Sequence, residues 1–205
     1  MFPADLTSVM TGASVHQLAG WRATGLLVPE ISARPVLYSF RDVVALRTVM
    51  KLRTEATLQR VRKAFARLPE FELTKHPSEY SFGTDGKTIS AVDADGVGID
   101  LVRYPGQYEA VTLAEIFRPF TTKSGREVVD FLAPRHHLRV DGARMGGWPT
   151  IAGTRVAYDT ISELMADGRL TAEDVHYYYP SVPVAAVPDA VEFAGLVAEA
   201  RGRTA

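Results

Sequence analysis

Cysteine is absent from the chain. Its absence excludes disulfides, thiolate metal centres and a cysteine nucleophile, and it suits a reducing compartment. Long apolar runs are absent as well. No stretch approaches the roughly 20 residues that a membrane helix needs. The opening MFPADLTSVM has no basic segment followed by an apolar core, so no secretory signal is read there and a soluble, cytoplasmic protein is expected. No internal repeat and no low-complexity segment is visible. The composition does not mark disorder: 46% of the 205 residues are hydrophobic, enough to bury the core of one large domain or two small ones.

The net charge of −1 conceals an asymmetry. Residues 1–70 carry 10 Lys+Arg against 5 Asp+Glu, and residues 71–205 carry 13 against 19. Such halves point to different partners, an anionic polymer for the first and something basic or neutral for the second, unless the imbalance is ordinary surface scatter.

Hydrophobic spacing predicts a helix over 4–12, with Leu6, Val9 and Met10 inward and Gly12 as its stop. Ser14 reads as the N-cap of a second helix with Val15, Leu18 and Trp21 on its apolar stripe, ended by Gly25. Helix, tight turn, helix is the helix-turn-helix pattern. Leu26–Val28 and Val36–Tyr38 then read as the two strands of a small wing. Ser39 caps a third helix, FRDVVALRTVMKL. A fourth runs from about Thr57 to Leu68, with Arg60, Arg62, Lys63 and Arg67 on its outer face and Pro69 as its end. Residues 71–104 alternate like strands: Tyr80–Phe82, Lys87–Val92 and Ile99–Tyr104, with Asp85-Gly86 and Asp95-Gly96 as hairpin turns. Thr112 to Glu115 forms a capping box for a short helix over 113–118. Gly125–Val140 reads as extended, RHHLRV as a strand. A strand near Thr150–Ala157, a helix over Tyr158–Ala166, a helix capped by Thr171 and a last helix reaching about Arg201 complete the chain. The expected fold class is α+β: a winged helix-turn-helix over 1–70, a small antiparallel β-rich connecting segment over 71–130, and a three-helix, helix-turn-helix-like module over 131–205.

The run GGWPTIAGTRVAYDTISELMADG at 146–168 is the most distinctive piece of the chain. It fixes backbone shape through its glycines and Pro149 and offers no catalytic group.

Two resemblances follow from these residues. Residues 12–53 resemble the DNA-binding domain of MerR-type regulators, on Gly12-Ala-Ser14, Leu18, Trp21, GLLVP at 25–29, Arg34, and Tyr38-Ser-Phe-Arg-Asp42-Val43 continuing to Leu46. Ala19 and Val36 stand where that family commonly places DNA-contacting arginines. Residues 136–197 resemble a domain-of-unknown-function family found in VapB-type antitoxins, on Gly147-x-Pro149-x-Ile151-x-Gly153-Thr154-Arg155-Val156, Gly168, Tyr179-Pro180, Ala190 and Phe193. Residues 71–130 match no named family.

The first resemblance implies that the second helix enters the major groove, with Ser14, His16, Gln17, Trp21 and Arg22 towards DNA. Of these Trp21 reads more as a core or phosphate-flanking aromatic than as a specificity residue. The resemblance also implies wing contacts from Arg34 and Tyr38 and a phosphate near Arg41 at a helix N-terminus. The family's long pairing helix is missing, cut off at Pro69, so any homodimer contact lies elsewhere, in the sheet or the C-terminal helices. The second resemblance implies a protein partner, a PIN-like ribonuclease toxin. Candidate contacts are Trp148, Arg155 and the aromatics Tyr177–Tyr179, above all Tyr178 and Tyr179. Gly153-Thr154-Arg155 reads either as a phosphate-binding turn or as a structural tie through Arg155, with the tie preferred. His136 and His137, adjacent on a strand, would point to opposite faces, so no metal is expected there. No catalytic constellation and no cofactor are read.

The leading expectation is therefore an antitoxin of a type II toxin–antitoxin pair that also binds its own promoter DNA. The alternative is a stand-alone MerR-like regulator answering a small molecule. A third reading is a toxin-binding protein with a vestigial DNA module.

Overall fold

Three capping boxes set the helical framework. Ser14 and Gln17, Ser39 and Asp42, and Thr171 and Asp174 each exchange side-chain and backbone hydrogen bonds at a helix start. Each cap satisfies N–H groups that would otherwise lack partners, worth about 1 kcal/mol apiece. The computed structural model describes residues 1–71, 75–85, 88–92, 98–101, 110–111 and 113–202. The turn glycines Gly86 and Gly96 and the cap at Thr112 fall outside these residues.

The N-terminal helices are α1 (Ala4–Thr11) and α2 (Val15–Ala23), preceded by a short strand, β1 (Phe2–Pro3). Gly12 closes α1 with φ of 82°, and a Cβ there would overlap the Val128 side chain. The wing differs from expectation. Leu26–Val28 forms no strand, and Leu27 is buried in the core. Instead β2 (Ser32–Ala33) and β1 both pair antiparallel with β3 (Val36–Tyr38), giving the order β1-β3-β2. The N-terminus supplies the third strand, a long-range pairing that no local pattern announces. Helices α3 (Phe40–Leu52) and α4 (Leu58–Arg67) follow, and Pro69 lies within a short 3-10 turn over Leu68–Phe71.

In the middle of the chain, β4 (Ser81–Thr84), β5 (Ile89–Val92), β6 (Gly98–Asp100) and β7 (Ala110–Val111) form an antiparallel sheet in the order β6-β5-β4-β7. It is fastened to α4 by Phe65 stacked on Phe82, centroids 5.1 Å apart. Helix α5 (Leu113–Phe117) leads into a hairpin of β8 (Phe120–Thr121) and β9 (Glu127–Val128).

The C-terminal elements are β10 (Leu138–Arg139) paired antiparallel with β11 (Thr150–Ile151), then α6 (Tyr158–Met165), α7 (Ala172–Tyr178) and α8 (Ala186–Gly202). Helix α8 packs against both α6 and α1. Val187, Ala190, Phe193 and Val197 are buried along it, and Arg201 near its end pairs with Asp5 of α1 at 2.6 Å. The described core runs without interruption from Phe2 to Ala200.

Two devices join the N- and C-terminal regions. The first is Arg47 on α3, a fully buried arginine with no carboxylate in direct contact. Its guanidinium donates to the carbonyls of Met10, Ile116, Phe117, Arg118 and Val129 and lies over the rings of Phe120 and Phe131. Burial lowers its pKa to about 10, with the Asp130 charge opposing that shift. It remains a cation at neutral pH and ties α1, α3, α5 and the β9 strand's exit into one body. The second device is Phe40. Its ring fills the space that Cβ atoms on Gly142 and Gly147 would occupy, and Gly147 holds φ of 82°.

Candidate functional site

Two outward faces emerge. The first surrounds α2. Its exposed surface is made of Ser14, His16, Ala19, Gly20 and Ala23, mostly small side chains, and is bordered by cations. Arg53 lies over the Trp21 ring, 5.6 Å from its centroid. Arg62 donates to Thr24 Oγ1 at 3.3 Å, and its Nε is buried without a partner. Neither guanidinium has a carboxylate partner among the described residues. Burial, and then the neighbouring Arg62 charge, lowers the Arg53 pKa. Two close cations left without a counter-charge form a surface suited to an anion. A groove lined by Gln17, Arg53, Thr122, Lys123 and Ser124 continues this face onto the β8–β9 turn.

Arg62 was expected on the outer face of the fourth helix, solvated or facing DNA phosphates, and Arg53 carried no expectation. The signal for both is three-dimensional, since they reach α2 from the end of α3 and from α4.

The expected DNA contacts divide. His16 and Arg34 are exposed and their side chains hold no partner among the described residues, and Arg22 is half-buried near the Tyr38 hydroxyl. Ser14 and Gln17 are occupied: Ser14 Oγ accepts from Gln17 N, and Gln17 Oε1 accepts from Ser14 N at 2.8 Å. The Gln17 amide –NH2 and the Ser14 hydroxyl proton are left to reach outward. Tyr38 is a correction, and Trp21 falls in the core as its apolar stripe indicated: both are core residues, 1% and 2% exposed, and cannot present their rings to a groove. Burial pushes the Tyr38 hydroxyl's pKa up. Arg41 is solvent-facing but engaged, donating to both Glu30 carboxylate oxygens at 2.9 and 2.6 Å. That pairing, ahead of an opposing burial effect, holds the Glu30 carboxyl below its usual range.

Beneath this pair, Asp42 is fully buried. Burial alone would raise its pKa. The His76 imidazole and the N–H groups of Glu30 and Ser39 outweigh that and hold it below the usual carboxylate range. The wing, α3 and the turn at His76 therefore meet on one carboxylate.

The second face lies on the C-terminal module. Tyr177 and Tyr178 at the end of α7 are 79% and 64% exposed and meet edge-on. Tyr179 is half-buried against the core. Trp148 is half-buried: its ring packs between Phe2 and Tyr158, and its N–H donates to Asp159. It is a joint between the two ends of the chain. Arg155 also departs from the preferred reading. The tie to the Thr154 carbonyl comes from Arg144 at 3.2 Å, while Arg155 is exposed, lines an open polar groove with Asp141 and Arg144, and has no partner among the described residues.

The expected RHHLRV strand is shortened to Leu138–Arg139. His136 and His137 occupy the turn before it, and their rings meet edge-on, 4.4 Å between centroids. The premise that they point apart is thereby overturned.

Residues 6–68 match the family model described as MerR HTH family regulatory protein. Residues 139–194 match the model described as protein of unknown function, DUF433. No curated protein and no solved structure matches the chain. The chain thus carries an N-terminal MerR-family helix-turn-helix domain, the kind of domain associated with DNA-binding transcription regulation, and a C-terminal DUF433 domain. No helix among the described residues is long and apolar enough to cross a membrane.

Proposed function

We propose that this protein is a DNA-binding antitoxin of a type II toxin–antitoxin pair, acting by binding and without catalysis. The observation that carries the reading is the placing of two unlike surfaces on one continuous core. One is cationic: Arg22 lies on α2, Arg53 and Arg62 border it, and Arg34 is exposed on the wing. The other, on the C-terminal module, exposes the aromatics Tyr177 and Tyr178 and, at the groove with Asp141 and Arg144, Arg155, which has no partner among the described residues. The first suits the phosphates of promoter DNA: uncompensated arginines displace counterions, and small residues on α2 let the helix approach the groove closely. The second suits a protein. Exposed tyrosines anchor interfaces, and a free guanidinium complements the acidic cleft of a PIN-like ribonuclease. The resemblance of residues 136–197 to VapB-type antitoxins names that partner. A cytoplasmic homodimer on paired half-sites belongs to the same proposal.

The test is co-expression with a PIN-like protein encoded beside this gene, followed by co-purification and a nuclease assay. A stable complex with suppressed cleavage is expected. No complex, with cleavage continuing, removes the antitoxin reading and favours a small-molecule-responsive regulator. A promoter gel shift at two salt concentrations then separates a working DNA module from a vestigial one.

A further inference from the structure

The turn ahead of β10 carries chemistry that neither face uses. We propose that His136 and His137 bind one divalent transition ion of the zinc class, with Asp189 as the positioning residue. His136 Nδ1 and His137 Nε2 stand 3.2 Å apart. Two nitrogens each about 2.0–2.1 Å from a tetrahedral ion are separated by about 3.3 Å, so the gap matches a shared ion.

The far side of the His137 ring supports the same assignment. Its Nδ1 lies 2.8 Å from Asp189 Oδ2, and that oxygen also accepts the His137 backbone N–H at 2.7 Å. The carboxylate takes the Nδ1 proton as its hydrogen bond and leaves the Nε2 lone pair directed at His136. This is the carboxylate–histidine–metal arrangement that orients a ligand ring and raises its basicity. The three side chains sit within mutual ligand distance.

The nearby cations are engaged elsewhere. Arg135 reaches Glu192 on α8 at 3.6 Å, and Arg139 donates to the carbonyls of His136 and Leu138. His136 is exposed, which leaves the remaining coordination positions to water. Imidazole nitrogens select zinc, nickel or copper over magnesium and calcium, which prefer oxygen. The other histidine–carboxylate group, Glu30, Asp42 and His76, is unsuited: Asp42 already accepts two backbone N–H groups, and Arg41 occupies Glu30. A bound ion would fasten the 135–137 turn, which Asp189 already joins to the first turns of α8.

The test uses the full chain without a histidine tag, titrated with Zn²⁺ by calorimetry and with Co²⁺ by visible absorption. One ion per chain is expected, with a rise in the unfolding midpoint as zinc is added. His136→Ala, an exposed change that leaves the core intact, should abolish both signals. Asp189→Asn should lower affinity about 10–100-fold, since it keeps an acceptor but loses the charge. His76→Ala should bind as the parent does. Absence of binding in the parent, undiminished binding in His136→Ala, or loss in His76→Ala alone each overturns the proposal.

Discussion

The N-terminal helix-turn-helix region and the C-terminal DUF433 region are built from similar parts and used differently. Both start helices with capping boxes and end them with left-handed glycines, Gly12 and Gly168. The N-terminal region keeps the outer surface of α2 free and gives its inner surfaces to the rest of the chain. The C-terminal region divides its last helix: α8 serves α6 on one side and α1 on the other. Similar local grammar thus yields one region that presents a surface and another that closes a core. The two depend on each other for burial, so their binding surfaces are mechanically connected.

Arg47→Ala is the most severe way to break that dependence. It leaves several buried carbonyls without a donor, at about 1–3 kcal/mol for each one that water cannot reach. A loss on the order of 4 kcal/mol is expected. Denaturant unfolding should show the Trp21 and Trp148 environments melting in one transition. If only one tryptophan signal moved, the two regions would be separable after all. Gly147→Ala comes next. It forces a Cβ into the Phe40 ring and a side chain into the left-handed region, at about 2–3 kcal/mol together. Although it lies in the C-terminal motif, it should lower DNA affinity as well as the thermal midpoint.

Acid provides a milder test. The folded pKa of Asp42 is depressed, so its stabilisation is present above the unfolded value of about 3.9 and is lost as pH falls through the folded value. Asp42→Asn should flatten that acid limb in unfolding measured from pH 5 down to pH 2. An unchanged limb would mean that other carboxylates carry it. Smallest in stability, within about 0.5 kcal/mol, are Arg34→Ala and Arg155→Ala, both at exposed positions. Their binding effects should be opposite in kind. Arg34→Ala should reduce the salt slope of promoter binding by about 1 in a gel-shift series, while Arg155→Ala should leave DNA untouched and weaken the protein complex.

The helix starts were legible because a cap is a local event: Ser14, Ser39 and Thr171 each meet a partner three residues on. The wing was half legible. Val36–Tyr38 alternates as a strand, but its partner Phe2–Pro3 lies 34 or more residues away and carries no local mark. Arg47 was missed because a charge in a helix is ordinarily read as solvent-facing. A clue exists, since it stands four residues after Val43 and three before Met50, on the apolar side of a helix buried on nearly every face. Of the candidate site, His16 and Arg34 emerge on the surface where the chain pattern placed them. Trp21 was legible as buried from its apolar stripe, while Tyr38 and Trp148 were aromatic residues whose burial only the packing decides. The two histidines were misplaced by an assumed strand: they lie in a turn, where the alternation of side chains along a strand does not hold.

Helix α8 has one further consequence. The last long element of the chain covers the first. Residues 186–202 must therefore be in place before α1 gains its cover. The same dependence governs removal. A protease that frees α8 uncovers α1 and the aromatic seam at Trp148 together, because Phe193 of α8 meets the Tyr158 ring that stacks on Trp148.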